Sequence, residues 1–414
     1  MEAMTRAAEP AGSPMQRRLM VGRAFLAQNV AVGCAFGGFG VSVLPLQQKF
    51  GASSATAALA LSICVLVLGL ASPAIGALIG RIGLRWTMMA GVIISAIGYA
   101  LLAVAPSMTV VLLAYALPIG IGLAMFGPFP SSVLASNWYA HNPGTALGVA
   151  NTPLFAALLP MIGMAVIRDH GLSAFYWMMV GLHILLLPFI LGVSDGPADR
   201  AHAPDAHGHV AHEMITARSL LRNPTFWAVC LGAGFLNAVG ITGVSHLAGF
   251  VAERGVAAAD AAALLSVMGG SAVIGSLVIG ILCGRLGAPR ALSILAAGLA
   301  LSWFAMLGTT AFAVMALCAL VIGAAGAGVF PAVNMLSAHL FGQHSLPRVI
   351  GLFAIVTLPL TFGIPPLVGL LRDAVGRYGP VIGLVIGGCA VAAFMFFAMS
   401  RIGRRAPPAE LPAA

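Results

Sequence analysis

Within the 414-residue chain, His246 is the residue best suited to proton or anion chemistry. It lies in an apolar stretch, with Thr242 four positions and Phe235 eleven positions before it. At about 100° per residue these three share one helical face, whereas Asn237 points the opposite way. An imidazole titrates near neutrality, so His246 is a candidate for binding a carboxylate as the cation or for exchanging a proton. A neutral histidine packing against a neighbouring carbonyl is the alternative reading, and it is the favoured one for His183. Two Arg-Asp dipeptides, Arg168-Asp169 and Arg372-Asp373, stand in comparable settings. They read either as halves of a gate or as interfacial charge pairs of small energetic weight.

Other chemistries lack their residues. The eleven carboxylates all fall in tails, loops or the ends of apolar runs. A charge deep in a bilayer costs about 2.5–3.5 kcal/mol and is usually functional, so the lack of a mid-membrane acid, arginine or lysine is informative. No GxxxxGK loop is present to bind ATP. The six cysteines form no CxxC pair and read as small buried hydrophobes. His202, His207, His209 and His212 lie in a polar stretch without cysteine or clustered acids, which reads as a linker rather than a metal site. Neither a cofactor nor an enzymatic set of nucleophile, base or metal ligands is expected.

The elements that hold these residues are membrane helices. Sixty per cent of the chain is hydrophobic and 7% is charged, against about 25% charged in soluble domains. A spanning helix needs about 20 mostly apolar residues. Twelve segments meet that need, near Met20–Leu44, Ser54–Ile79, Trp86–Ala105, Thr109–Ala135, Thr145–Ile167, Ser173–Val193, Thr225–Val251, Ala258–Ile281, Arg290–Gly308, Ala313–Leu340, Val349–Leu371 and Pro380–Ser400. The expected layout is a tail over 1–19, a six-helix bundle over 20–193, a linker over 194–223, a second bundle over 224–400 and a tail over 401–414. The tail to Arg18 is polar and too long for a cleaved signal, so the first helix is expected to stay in the membrane. With the N-terminus inside, fifteen of the twenty arginine and lysine residues face the cytoplasm and five face outward. That bias predicts a bacterial-type inner-membrane protein with both termini cytoplasmic. The +9 net charge is scattered over short loops and is no nucleic-acid surface.

The halves repeat each other. Gly76-Ala-Leu-Ile-Gly80-Arg81-Ile-Gly83-Leu-Arg85 follows helix 2, and Gly280-Ile-Leu-Cys-Gly284-Arg285-Leu-Gly287 follows helix 8, 204 residues later. The same offset relates Arg168-Asp169 to Arg372-Asp373, Pro143 to Pro347, Gly122 to Gly326 and Phe126 to Phe330. Five features at one offset argue for a duplicated six-helix unit.

The first of these motifs resembles the signature of the major facilitator superfamily between helices 2 and 3, roughly G-x-L-x-D-R-x-G-R-R. Gly76, Leu78, Arg81, Gly83 and Arg85 match it, and Gly80 stands where the family has an acid. The resemblance implies twelve transmembrane helices as two six-helix pseudo-repeats, and gating roles for Gly76, Arg81, Gly83, Arg85 and Arg285. The family's acid helps latch the halves together, so the latch here must differ. Three stretches are similar to the monocarboxylate and oxalate/formate branch: Trp138-Tyr139 with Gly144-x-Ala146-x-Gly148, His246 followed by Glu253-Arg254-Gly255, and Gly369-Leu-Leu-Arg372-Asp373. Helix 8 lacks the Asp and Arg pair of characterised monocarboxylate carriers.

In that fold helices 1, 4, 7 and 10 line a central cavity. The resemblance therefore adds Asn29 and Phe36 on helix 1, Phe126 on helix 4, and Phe330 and Asn334 on helix 10 to Phe235, Thr242 and His246 as substrate-binding candidates. It implies proton-coupled transport of a small monocarboxylate by alternating access, with the phenylalanines suiting an aromatic body. The expected partners are a small-molecule substrate, the lipid bilayer and protons, and the expected state is a monomer. Glycine and proline gather in helices 4 and 11, where kinks and close approaches would serve rocking. Export of lipophilic compounds remains a second reading. A membrane sensor or intramembrane enzyme is a third, without an output domain or a reactive set to support it.

Overall fold

A computed structural model describes residues 13–139, 143–196, 216–342 and 345–402. The four linker histidines, Asn142, and the tails over 1–12 and 403–414 lie outside the described residues. Among the described residues, ten helices are long and apolar enough to cross a membrane, and two of them are double. Ser54–Ala103 divides at Gly83 and Leu154–Leu191 divides at Gly171, where φ turns positive inside an otherwise continuous run. Twelve spans result.

In chain order, α1 is Pro14–Phe50, α2 covers 54–82, α3 covers 84–103, and α4 is Met108–Trp138. The fifth span, α5, opens as Pro143–Ala150, breaks at Asn151-Thr152-Pro153 and resumes over 154–170, and α6 covers 172–191. After a short helix Ala217–Arg222 come α7 Pro224–Ala252, α8 Ala258–Leu286, α9 Ala288–Gly308, α10 Phe312–Phe341, α11 Leu346–Val375 and α12 Tyr378–Ile402. No strand occurs among the described residues. With an even number of spans, the first and last helices open and end on one face, here the terminal face. The opposite face is the distal one.

The duplication is legible in the backbone. All described residues with positive φ are glycines, because a Cβ is strained in that region. Gly51 and Gly255 end the first span of each half, and Gly83 and Gly287 make the second turn, each pair separated by the same 204 positions. Gly171 and Gly376 pair at 205.

Helices in lipid satisfy their own backbone, so they associate by close packing of small residues. Gly33 and Gly37 seat α1 on Phe155 and Ala156 of α5, and Gly323 seats α10 on Met268 and Ser271 of α8. Between the halves, Gly369 of α11 meets the backbone of Ser54 and Ala55 at the distal end of α2. Gly40 of α1 meets the Val244 carbonyl of α7 and Leu265 of α8, and Gly269 of α8 meets Ala156 of α5. The part of α1 that packs on α7 is Gly38–Phe50, its distal part. A side chain at Gly80, near the terminal end of α2, would meet nothing within 4 Å. The halves are therefore sealed distally and part towards the terminal face.

Two helices of the first half leave regular α geometry. Gly33–Gly37 in α1 and Tyr115–Ile119 in α4 form π-turns, and α4 breaks again at Gly127 (ψ −142°) before Pro128. Each π-turn inserts an extra residue and rotates everything beyond it.

Candidate functional site

Where the halves part, a cavity of 1020 Å³ opens between them. From the first half it is lined by Gln28 of α1, by Phe129, Ser132, Ser136 and Asn137 of α4, and by Leu147, Gly148, Asn151, Thr152 and Pro153 of α5. From the second half come Ala272 and Val273 of α8 and Ala327, Phe330 and Pro331 of α10. A smaller space of 230 Å³ adjoins it deeper in, sharing Pro153, Ala272 and Ala327. Its other walls include Phe36, Asn237, Gly240, Ile241 and Val244. No charged residue lines either space among the described residues.

The walls divide by chemistry. Among the described residues, the polar groups of the larger space belong to the first half, and the second half presents an apolar wall. The break in α5 creates the polar side. Asn151 there donates to Ser132 Oγ (3.1 Å) and to the Leu147 carbonyl (3.0 Å), and Thr152 Oγ1 donates to the Gly148 carbonyl (2.8 Å). Gln28 is 5% exposed, and its Oε1 has no hydrogen-bond partner.

A transport-like architecture of two repeats around an uncharged cavity has counterparts among known proteins. The family model described as Major Facilitator Superfamily matches residues 25–358, most of the chain. The chain belongs to the Major Facilitator Superfamily. Membership makes it a transporter rather than an enzyme. Its relatives include monocarboxylate transporter 3 of Rattus norvegicus, 27% identical over 369 residues that make up 86% of this chain and 74% of the relative. Among solved structures it is similar to a bacterial homologue of the human lysosomal transporter Spinster in an inward-facing, unoccupied conformation. That match has a TM-score of 0.74 and 17% identity, over 96% of this chain and 100% of the other. It is also similar to a point mutant of the nucleoside transporter NupG, with a TM-score of 0.72 and 15% identity over 92% and 99% of the two chains. At such identities the structures share the fold alone.

Within the superfamily fold, the substrate candidates from sequence separate into two groups. Phe36 and Phe330 line the cavity spaces, and Phe330 is 53% exposed. Asn334 is half-buried, one turn beyond Phe330 on α10. The others line neither space. Asn29 is fully buried, donating from Nδ2 to the carbonyls of Phe25 and Thr152 (2.9 Å each) and accepting from Phe155 N–H (2.8 Å). Phe126, with no exposure, packs edge-on against His183 inside the first half. On α7, Phe235 lies against Gly388 of α12, and Thr242 bonds back to the Ala238 carbonyl at 2.8 Å. His246 is 1% exposed, with Nε2 at 2.9 Å from the Pro365 carbonyl of α11 and Nδ1 at 3.1 Å from the Tyr378 hydroxyl of α12. It borders neither space. The three α7 candidates do share a face, but it looks into the second half. Asn237 occupies the cavity face that sequence reasoning set aside.

The gating candidates also divide. Gly76 faces Phe129 of α4, and Arg81 and Arg285 are exposed. Gly83 takes φ 82°, and the α3 amide after it, Leu84 N–H, donates to the Asp195 carboxylate (3.0 and 3.1 Å). Arg85 Nε donates to the Val193 carbonyl at 2.7 Å. Asp195 thus supplies an anion to the N-terminus of α3, holding the turn between α2 and α3 to its own half. No sequence rule flagged Asp195, because its partner is 111 residues away.

At the distal face the two Arg-Asp pairs behave differently although they are repeat equivalents. Among the described residues, Arg168 and Asp169 bond to each other, 70% and 48% exposed, and not across the seam. The Asp373 carboxylate instead crosses the seam, accepting from Ser54 N–H (3.3 Å) and Ala55 N–H (3.1 Å) at the N-terminus of α2. Arg372 bridges Asp373 (3.5 Å) and Glu253 (3.6 Å), and Glu253 accepts from Tyr378 N–H (2.9 Å). In this conformation only the second of the two Arg-Asp pairs crosses the seam. Asp169→Asn is expected to leave transport and melting temperature unchanged. Asp373→Asn is expected to raise labelling of a cysteine placed at Ser54 by an impermeant thiol reagent several-fold. Equal labelling in the two variants would remove the gating role of Asp373.

Proposed function

We propose that the chain is a secondary carrier that moves a small monocarboxylic acid, with an apolar or aromatic body, across a bacterial inner membrane by alternating access coupled to protons. The observation that carries this reading is the cavity between the halves, sealed distally, with a polar wall facing an apolar one. A cargo with one polar head and an apolar body matches those walls. The rat relative, named for monocarboxylate transport, supports the same class. The arginine bias supports a cytoplasmic terminal face, which makes the present conformation inward-open. The second reading, export of lipophilic compounds, is favoured by the lack of charge on the cavity walls.

Proteoliposomes holding the purified protein decide between them. A pH gradient is expected to drive accumulation of a radiolabelled monocarboxylate, and a protonophore is expected to abolish it. Uptake indifferent to the gradient ends the coupling. Extrusion of lipophilic dyes with no acid uptake establishes the second reading instead.

A further inference from the structure

We propose that the cavity takes its acid cargo uncharged, with the proton still on the carboxyl group, and that the coupled proton crosses on the cargo rather than on a protein side chain. This inference rests on the organic-acid reading above and adds the form in which the acid is bound.

The first argument is electrostatic. A carboxylate that leaves water for these walls meets no cationic side chain among the described lining residues. An unpaired buried charge is neutralised more readily than it is tolerated. The charged groups of the wall-forming helices sit towards their ends. Arg23 of α1 donates to the Gly192 carbonyl, Arg168 and Asp169 pair at the distal surface, and Asp260 and Arg285 stand in the first and last turns of α8. His339 of α10 lines a separate pocket with Arg290. His141, between α4 and α5, lies outside the described residues. His246 has both ring nitrogens engaged by Pro365 and Tyr378, and His183 of α6 is buried against Tyr99 and Phe126 with Nδ1 at the Met179 carbonyl; neither borders either space. The geometry of His246 suits joining α7 to α11 and α12.

The second argument is the Gln28 amide. It lines the larger space, is 5% exposed, and its Oε1 has no partner. A side-chain amide offers one acceptor and a donor side by side. A protonated carboxyl group offers the complementary pair: its O–H donates to Oε1 while its carbonyl oxygen accepts from Nε2–H. A carboxylate has only acceptors and would set an oxygen against Oε1. The cyclic pair forms equally well with the amide turned over. The cargo's body then faces Val273, Ala327 and Phe330 of the second half.

Each acid so carried brings one proton and no net charge, so transport is electroneutral. The test is equilibrium binding to purified protein between pH 5 and 8, using butyric, benzoic and phenylacetic acids, their primary amides and their sulfonate counterparts. Above the acid's own pKa of about 4, apparent affinity for the acid is expected to fall tenfold per pH unit. The amide is expected to bind independently of pH, and the sulfonate not to bind. Gln28→Leu is expected to weaken acid and amide about tenfold with an unchanged melting temperature. Sulfonates binding as well as the acids, or acid affinity flat with pH, overturns the inference and leaves the organic-acid reading standing. Amides or sulfonates binding without any acid, or nothing binding, overturns both.

Discussion

Gly369→Val is expected to abolish transport by a protein that still folds. A Cβ at Gly369 would stand 2.5 Å from Ala55 Cα, 2.6 Å from Ala55 N and 2.8 Å from the carbonyl carbon of Ser54. All three are backbone atoms at the start of α2, so no rotamer change relieves the contact. One turn further on, Asp373 accepts from the amides of the same two residues. The glycine thus permits the approach that the carboxylate holds. Overpacking costs about 1–3 kcal/mol, and each 1.4 kcal/mol shifts an equilibrium tenfold. The distally closed population should therefore fall roughly 5- to 150-fold. Because the contact lies between the halves, the packing within each half is spared, and the melting temperature in detergent should change little. A cysteine at Ser54 should label faster in the variant. Gly363→Val, on the same helix but with nothing within 4 Å of its would-be Cβ, is the control. Wild-type transport and labelling in Gly369→Val would show that this contact does not seal the distal face.

The sequence pointed to Asp373 as a gate residue but not to the backbone of Ser54 and Ala55 that it and Gly369 meet, for a physical reason. Twelve spans, their order and their duplication follow from hydropathy, charge bias and a repeated spacing, all of which are local or pairwise along the chain. Which side of a membrane helix meets the cavity is not so encoded, because the lipid-facing side is as apolar as the packed side. Phe235, Thr242 and His246 share one face, and in this structure that face packs into the second half. Placing Asn29 and Phe36 of helix 1 together on the cavity assumed unbroken α geometry. The π-turn Gly33–Gly37 intervenes, so Asn29 faces α5 while Phe36 reaches the smaller space. The repeat pair Phe126 and Phe330 diverges similarly. Before Phe126, α4 contains a π-turn, and just after it the helix breaks at Gly127, whereas α10 runs continuously from Phe312 to Phe341. Duplication preserved the residue and not its exposure. The same holds for Asp169 and Asp373, one solvated and one spanning the seam.

The two neighbours Gln28 and Asn29 give this difference its sharpest test, because they stand about 100° apart on one helix and should fail in opposite ways. Asn29→Leu is expected to lower stability without altering what the remaining folded protein binds. Its amide donates to the Thr152 carbonyl and accepts from Phe155 N–H, clamping both ends of the break in α5 to α1. Phe155 N–H is among the first amides of the resumed helix and has no intrahelical acceptor. Leucine fills the volume but leaves the Phe155 N–H without its acceptor, at about 1–3 kcal/mol, while the Thr152 carbonyl keeps the Leu154 N–H. A fall of several degrees in melting temperature, with lower yield from the membrane, is the expected result. Gln28 makes no such clamp, so Gln28→Leu should melt like the parent and lose affinity instead. Should Asn29→Leu keep its melting temperature and lose binding, the amide that handles cargo is the deeper-seated one on α1, and the break in α5 is held by other means.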